Sequence, residues 1–194
     1  PILVHVRELA GTLRQLEGVR LTSFLQRPAR YLAVSRVVRD YLAESYGTPP
    51  SRIGIAPAAI ECDDVIEHAH ALDRAAVLHE LGFARNARIV GGVGHVGARK
   101  GIDIFVAAAR RMLERLDGRL HTHFVWVGDG PELEAIRGKV RQAGLAASVH
   151  FIGPRANPYP YMRTFDVLLM TSRDDPFPRV NLECGILGVP VAAF

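Results

Sequence analysis

The sequence predicts an α/β protein built around a doubly wound parallel sheet. Two observations carry that prediction. Short apolar runs near residues 88–92, 123–127, 149–152, 166–170 and 189–193 alternate with stretches of helical periodicity. The glycine-rich and carboxylate motifs then follow the C-terminal ends of those runs, which is where open α/β sheets bind ligands. The motifs are therefore expected to converge on one crevice.

Taken in order, Ile2 to Val6 reads as a buried strand and Glu8 to Glu17 as a helix. Tyr31 to Val34 is a second strand. Ser35 is placed to N-cap a helix from Arg36 to Tyr46, which carries Val37, Val38, Tyr41 and Leu42 on one face. Gly47 and Pro49-Pro50 stop it. Ile53 to Ala56 is a short strand closed by Pro57, and residues 58 to 74, of mixed polarity, fit a linker. A helix from Arg74 to Leu81 follows. Ile102 to Leu116 is amphipathic, with Ile102, Phe105, Val106, Ala109, Met112, Leu113 and Leu116 at helical spacing. Its Asp103 comes early and its arginines late, matching the helix dipole. Pro131 opens another helix, with Gly144 as its C-cap. Leu168 to Met170 ends a buried strand. Pro176 and Pro178 suit a loop and a first helical turn, and Gly188 and Pro190 end that helix.

Composition bounds the function. The 194 residues are 48% hydrophobic and 23% charged, which is ordinary for one globular domain or one domain plus part of another. A net charge of +4 suits acidic or phosphorylated ligands, yet no Lys/Arg run is dense enough for a nucleic-acid or polybasic membrane patch. Two cysteines, Cys62 and Cys184, stand far apart without a CxxC, which points to a reducing, cytosolic setting. No apolar stretch approaches the roughly 18 residues of a membrane span, and no signal peptide is visible. Pro1 leads straight into an apolar strand and Phe194 follows another, so a fragment of a longer protein is expected.

The richest stretch runs from Ser172 to Gly185, with Asp175 and Glu183 eight positions apart across a strand-to-helix junction. A helix opening after a strand directs free N–H groups at an anion, and two carboxylates beside such a site would accept hydroxyl hydrogens from a sugar. An Asp N-cap with an exposed Glu on an ordinary helix fits equally. Gly92-Val93-Gly94-His95-Val96-Gly97 is a literal GxGxxG. In a dinucleotide fingerprint the third glycine already lies in the helix and an acidic residue follows about 20 positions on. Here Ala98-Arg99-Lys100-Gly101 continues the loop, which suits delivery of Arg99 or Lys100 to a phosphate, or two solvated cations. Gly128-Asp129-Gly130 would wall a nucleotide, and bare backbone at Gly153 would meet a base edge. The pairs His68/His70 and His121/His123 lack further ligands at zinc-like spacing, no Asp-x-Asp offers a handle for a metal-bound diphosphate, and no GxSxG occurs. No metal site is expected. Cys184 reads as a small packing residue.

In this order the motifs resemble the retaining glycosyltransferases of family 4, with a GT-B fold. Ala33 to Leu42 resembles the family's stretch near the end of its N-terminal domain. Lys100-Gly101-Ile102-Asp103 resembles its KGxD loop, Val127 to Glu132 its "vGdGpe" turn, and Phe151-Ile152-Gly153 its "flG" segment. Asp175 through Glu183 resembles its E-x7-E motif, and Gly188-Val189-Pro190-Val191 its "GxPVV" strand. The resemblance implies two Rossmann-like domains. Residues 1–57 would be the C-terminal part of the acceptor domain, 58–74 a linker, and 75–194 a nucleotide-sugar donor domain truncated at its C-terminus.

The resemblance further implies that Lys100 and Asp175 are the catalytic pair, Lys100 on the donor diphosphate and Asp175 on the sugar hydroxyls. Glu183 would hold the ribose. Gly94, His95, Arg99, Gly128, Gly153, Phe177, Pro178, Arg179, Val180 and Leu182 would complete the donor site. The donor would be a nucleoside-diphosphate hexose and the acceptor a glycan or lipid-linked molecule, with no cofactor, no metal and no nucleic acid. The protein would be cytoplasmic, associating peripherally with the inner face of a membrane through parts beyond this chain. Four departures stand out. Asp175 replaces Glu. His95 stands where the family often has Arg, leaving Arg99 as its substitute. Arg7 stands at the acceptor-domain histidine, with His5 two residues earlier. Pro57-Ala58-Ala59 replaces "PNG". Two alternatives remain on sequence grounds: an NAD(P)-dependent oxidoreductase using Gly92 to Gly97, and a non-catalytic nucleotide-sugar-binding module.

Overall fold

The computed structural model describes residues 3–9, 13, 30–116 and 121–193. They fall into two compact units, one within Pro1–Ala59 joined by Asp174–Arg179, the other Ile60–Arg173 with Val180–Phe194.

In the first unit β1 (Leu3–Val6), β2 (Arg30–Ala33) and β3 (Ile53–Ile55) form a parallel sheet in that order. The helix α1 (Arg36–Tyr46) begins where the sequence places it. Ser35 is extended, and its Oγ accepts from Val38 N at 3.3 Å. Val38 and Leu42, one turn apart, are fully buried with Tyr31, Ala33 and Ile53. The helix expected from Glu8 to Glu17 lies for the most part outside the described residues.

The second unit contains α2 (Cys62–Ala69), α3 (Arg74–Glu80), β4 (Arg88–Val93), α4 (Ile102–Leu116), β5 (Thr122–Val127), α5 (Leu133–Gln142), β6 (Val149–Phe151), α6 (Tyr159–Arg163), β7 (Val167–Met170), α7 (Arg179–Ile186) and β8 (Val191–Ala193). The strands pair in parallel in the order β6-β5-β4-β7-β8. The chain order along the sheet reverses between β4 and β7, so the loops leaving those two strands flank the topological switch point.

Strand pleating sorts the core onto two faces. Phe124 and Trp126 pack with Phe105, Ile136 and Val140, from α4 and α5. Their neighbours Val125 and Val127 face the other way, onto Val77, Tyr161, Met162 and Cys184 from α3, α6 and α7. Phe105 meets Trp126 edge-on, centroids 5.1 Å apart.

Two stretches differ from the sequence reading. Residues 58–74, expected as a linker, contain the helix α2. Only Val65 and Ala69 of it are buried, one turn apart, which is too short an apolar pattern to register. The five-residue α6 has no counterpart in the sequence reading; Pro158 caps it and Pro160 lies in its first turn. Both sit at its opening turn, where no N–H is needed. In addition α5 opens at Leu133, with Pro131 and Glu132 forming a turn before it.

Candidate functional site

The loop leaving β4 is held from the β5 side by backbone contacts. Gly94 N donates to Val127 O at 2.9 Å, and Val96 N to Asp129 O at 2.9 Å. The buried Trp126 donates through Nε1 to Gly94 O at 3.0 Å. Gly128 N donates to Gly153 O at 2.9 Å, joining the loops after β5 and β6. That bond engages the carbonyl of Gly153, part of the bare backbone that sequence reasoning offered to a base edge. The His95 ring lies against Gly97 and Gly130, whose added Cβ atoms would stand 3.4 Å from His95 Cδ2 and 2.9 Å from Cε1.

Beyond Gly97 the chain makes a 3-10 turn, Ala98–Lys100, closed by Lys100 N to Gly97 O at 3.0 Å. Glu132 Oε1 accepts from Ala98 N at 2.9 Å and so caps it. The stem of Lys100 runs along Gly94, whose added Cβ would stand 3.4 Å from Lys100 Cε. Gly101 then takes a left-handed φ of 65°, with its Cα packed so closely on Thr171 O that a Cβ would come within 2.0 Å of it. The helix α4 begins only after this, at Ile102.

The loop leaving β7 closes the switch point from the other side. Thr171 Oγ1 donates to Lys100 O at 2.9 Å, and Arg173 N to Arg99 O at 2.9 Å. Arg173 Nη1 donates to Ala98 O at 2.9 Å and to Asp103 Oδ1 at 2.7 Å, while Nη2 donates to Asp103 Oδ2 at 2.7 Å. The guanidinium beside Asp103 holds its carboxyl below the usual carboxylate range.

The structure thus brings together Gly94, His95, Arg99, Lys100, Gly128 and Gly153 on one edge of the second unit's sheet. Asp175, Phe177, Pro178 and Arg179 fall in the segment that groups with the first unit, where Phe177 packs against the Tyr31 cluster. Val180 is a core residue, so only its backbone remains for a ligand. Leu182 is exposed and Glu183 half-buried on α7, while the intervening turn buries Cys184. Sequence reasoning missed Thr171, Arg173 and the ion pair of Asp103, which it took as a helix-dipole residue; Asp103 and Arg173 lie 70 residues apart, so no local pattern links them. Among the described residues, no three His, Cys, Asp or Glu side chains are grouped to hold a metal.

The GxGxxG does not form a dinucleotide turn. Gly97 is extended and four residues separate it from the first helical residue of α4, whereas the fingerprint needs its third glycine in the helix for close packing. The sheet order and the braced loops define instead a Rossmann-like binding sheet with a cationic turn at its switch point. The sequence family "Glycosyl transferases group 1" matches residues 87–194. The chain belongs to this glycosyltransferase family. It is 32% identical over 169 residues to the 2-deoxystreptamine N-acetyl-D-glucosaminyltransferase of Streptomyces fradiae, covering 86% of this chain and 36% of the relative. It is also 32% identical over 163 residues to the D-inositol 3-phosphate glycosyltransferase of Geodermatophilus obscurus, covering 78% of this chain and 35% of that one. The chain spans about a third of the length of these relatives. Its fold is that of the GT-B glycosyltransferases: it matches Anabaena HepE, crystallised with UDP, with a TM-score of 0.78 and 20% identity over 100% of this chain and 53% of that one.

Proposed function

We propose that the protein transfers a hexose from a nucleoside-diphosphate sugar to a glycan or lipid-linked acceptor, retaining the anomeric configuration and using neither metal nor further cofactor. One observation carries this reading: the turn bearing Lys100 is built rigidly at the switch point of a parallel sheet, in a family of glycosyltransferases. As the glycosidic bond breaks, negative charge develops on the leaving diphosphate. Lys100 and the N–H groups opening α7 would stabilise that charge in place of a metal ion. Glu183 would accept hydrogen bonds from the ribose, and Asp175 from the sugar hydroxyls. Residues 75–194 would bind the donor and residues 1–57 belong to the acceptor side. The enzyme would work in the cytoplasm at the inner face of a membrane; among the described residues no helix is long and apolar enough to cross one.

Thermal unfolding of the full chain with UDP, GDP, ADP and NAD tests the reading. A ligand at 100 times its dissociation constant stabilises the fold by about 2.7 kcal/mol. Stabilisation by one nucleoside diphosphate is expected, abolished by Lys100→Ala and by Glu183→Ala. A shift with NAD alone would overturn it.

A further inference from the structure

Lys100 sits in a turn of three residues, and all three carbonyls of that turn are taken by one segment. Ala98 O and Arg99 O accept from Nη1 and the backbone N of Arg173, and Lys100 O accepts from Thr171 Oγ1. Arg173 is fixed in turn by a bidentate pair with Asp103, in the first turn of α4. Planar two-point pairing of this kind holds a guanidinium in one orientation, which a lysine cannot reproduce. The cation is therefore committed to protein partners and is not presented to a ligand.

We propose that Arg173 is a positioning residue for the donor diphosphate: without touching the donor, it fixes the backbone that carries Lys100 across the switch point. The proposal rests on the reading of Lys100 as a diphosphate ligand. A 3-10 turn has poor internal hydrogen bonds, and this one runs between Gly97 and Gly101. Left unbraced, it would lose conformational freedom each time an anion bound, and that cost would come out of the affinity. The brace places the cost in folding and leaves Lys100 preorganised. Its effect is therefore expected in diphosphate affinity, since an ion pair half-exposed at both ends adds little to overall stability.

The test is a titration of the full chain with UDP, GDP and ADP and with the nucleoside matching whichever diphosphate binds. For Arg173→Ala, and likewise Asp103→Asn, diphosphate affinity should fall about tenfold, the scale of re-immobilising one flexible side chain on binding. Nucleoside affinity should stay unchanged, because the nucleoside does not reach Lys100. Arg173→Lys should fall between wild type and Arg173→Ala. Adding Lys100→Ala to Arg173→Ala should cost less than it does in wild type, because the two act through one contact. Unchanged diphosphate affinity in Arg173→Ala, or an equal loss of nucleoside and diphosphate, would overturn the proposal while leaving the role of Lys100 intact. If wild type binds none of the three nucleotides, or Lys100→Ala binds as wild type does, the reading of Lys100 fails instead, and the proposal with it.

Discussion

Trp126 donates its indole N–H to the carbonyl of Gly94 at 3.0 Å, tying the centre of the sheet to the mouth of the candidate site. The same carbonyl is the floor on which Gly128 rests: a Cβ there would lie 2.0 Å from Gly94 O, and the φ of Gly128 is 139°.

Gly128→Ala should therefore be severely destabilising. The new methyl has backbone on its near side, which cannot swing away as a side chain would, and the backbone angle disfavours any L residue. A loss of about 3 kcal/mol or more is expected, at the upper end of ordinary single substitutions. Gly138→Ala is the control. Gly138 lies inside α5 with nothing within 4 Å of an added Cβ, so that variant should gain about 0.5–1 kcal/mol from helix propensity. Urea unfolding monitored by circular dichroism compares the two.

The contrast marks what the sequence discloses. Helices with a sustained apolar stripe were legible to the residue: α4 runs Ile102–Leu116 and α1 Arg36–Tyr46, the latter because Ser35 announces its start. The helices α2 and α6 were not: α2 buries only Val65 and Ala69, and α6 is five residues long with Pro158 and Pro160 at its opening turn. At the site, the candidate donor residues carry motif-like local spacing, and their place beyond the C-terminal ends of strands was legible; that the Gly94 and Lys100 loop lies at the switch point is set by the strand order of the folded sheet. The supports did not show. Thr171, Arg173 and Asp103 meet through β4–β7 pairing, a contact between strands separated by three intervening helices and two strands, and side-chain pairs at that separation leave no periodic trace.

A second long-range pair should make stability fall with acid. His123 Nδ1 and His150 Nε2 lie 3.0 Å apart, with Phe83 stacked on His123 at 3.9 Å. Burial and then the neighbouring His123 push His150 down to about 4, and burial and then His121 push His123 down as well. Both rings are therefore neutral in the folded protein at neutral pH. The unfolded chain takes up its protons near 6.5, while the folded chain resists until about 4, so stability is full above 6.5 and drains away as pH falls toward 4. Each resisting histidine removes at most about 1.4 kcal/mol per pH unit, and less where water reaches it. In His150→Gln the midpoint temperature should lie below wild type at about pH 8 and approach it by about pH 5, as the wild type loses stability through its histidine and the variant does not. Differential scanning fluorimetry across that range reads it, and a constant gap between the curves would rule out His150 as the source.

The two thiols should differ sharply in reactivity. Cys62 is exposed at the start of α2, its Sγ 3.9 Å from Ile60 O. Cys184 is wholly buried on α7, and burial followed by the adjacent Glu183 pushes its thiol up to about 12, far from the thiolate that reacts. Ellman's reagent should therefore titrate one of the two thiols in the native chain and both in guanidinium. The slow second reaction has a further use. Cys184 is covered by the core that seats α7, so its labelling rate measures how often that helix opens. If Glu183, on the same helix, holds the donor ribose, a bound nucleoside diphosphate should slow labelling of Cys184 and leave Cys62 unaffected. Equal rates with and without nucleotide would place the ligand elsewhere than on α7.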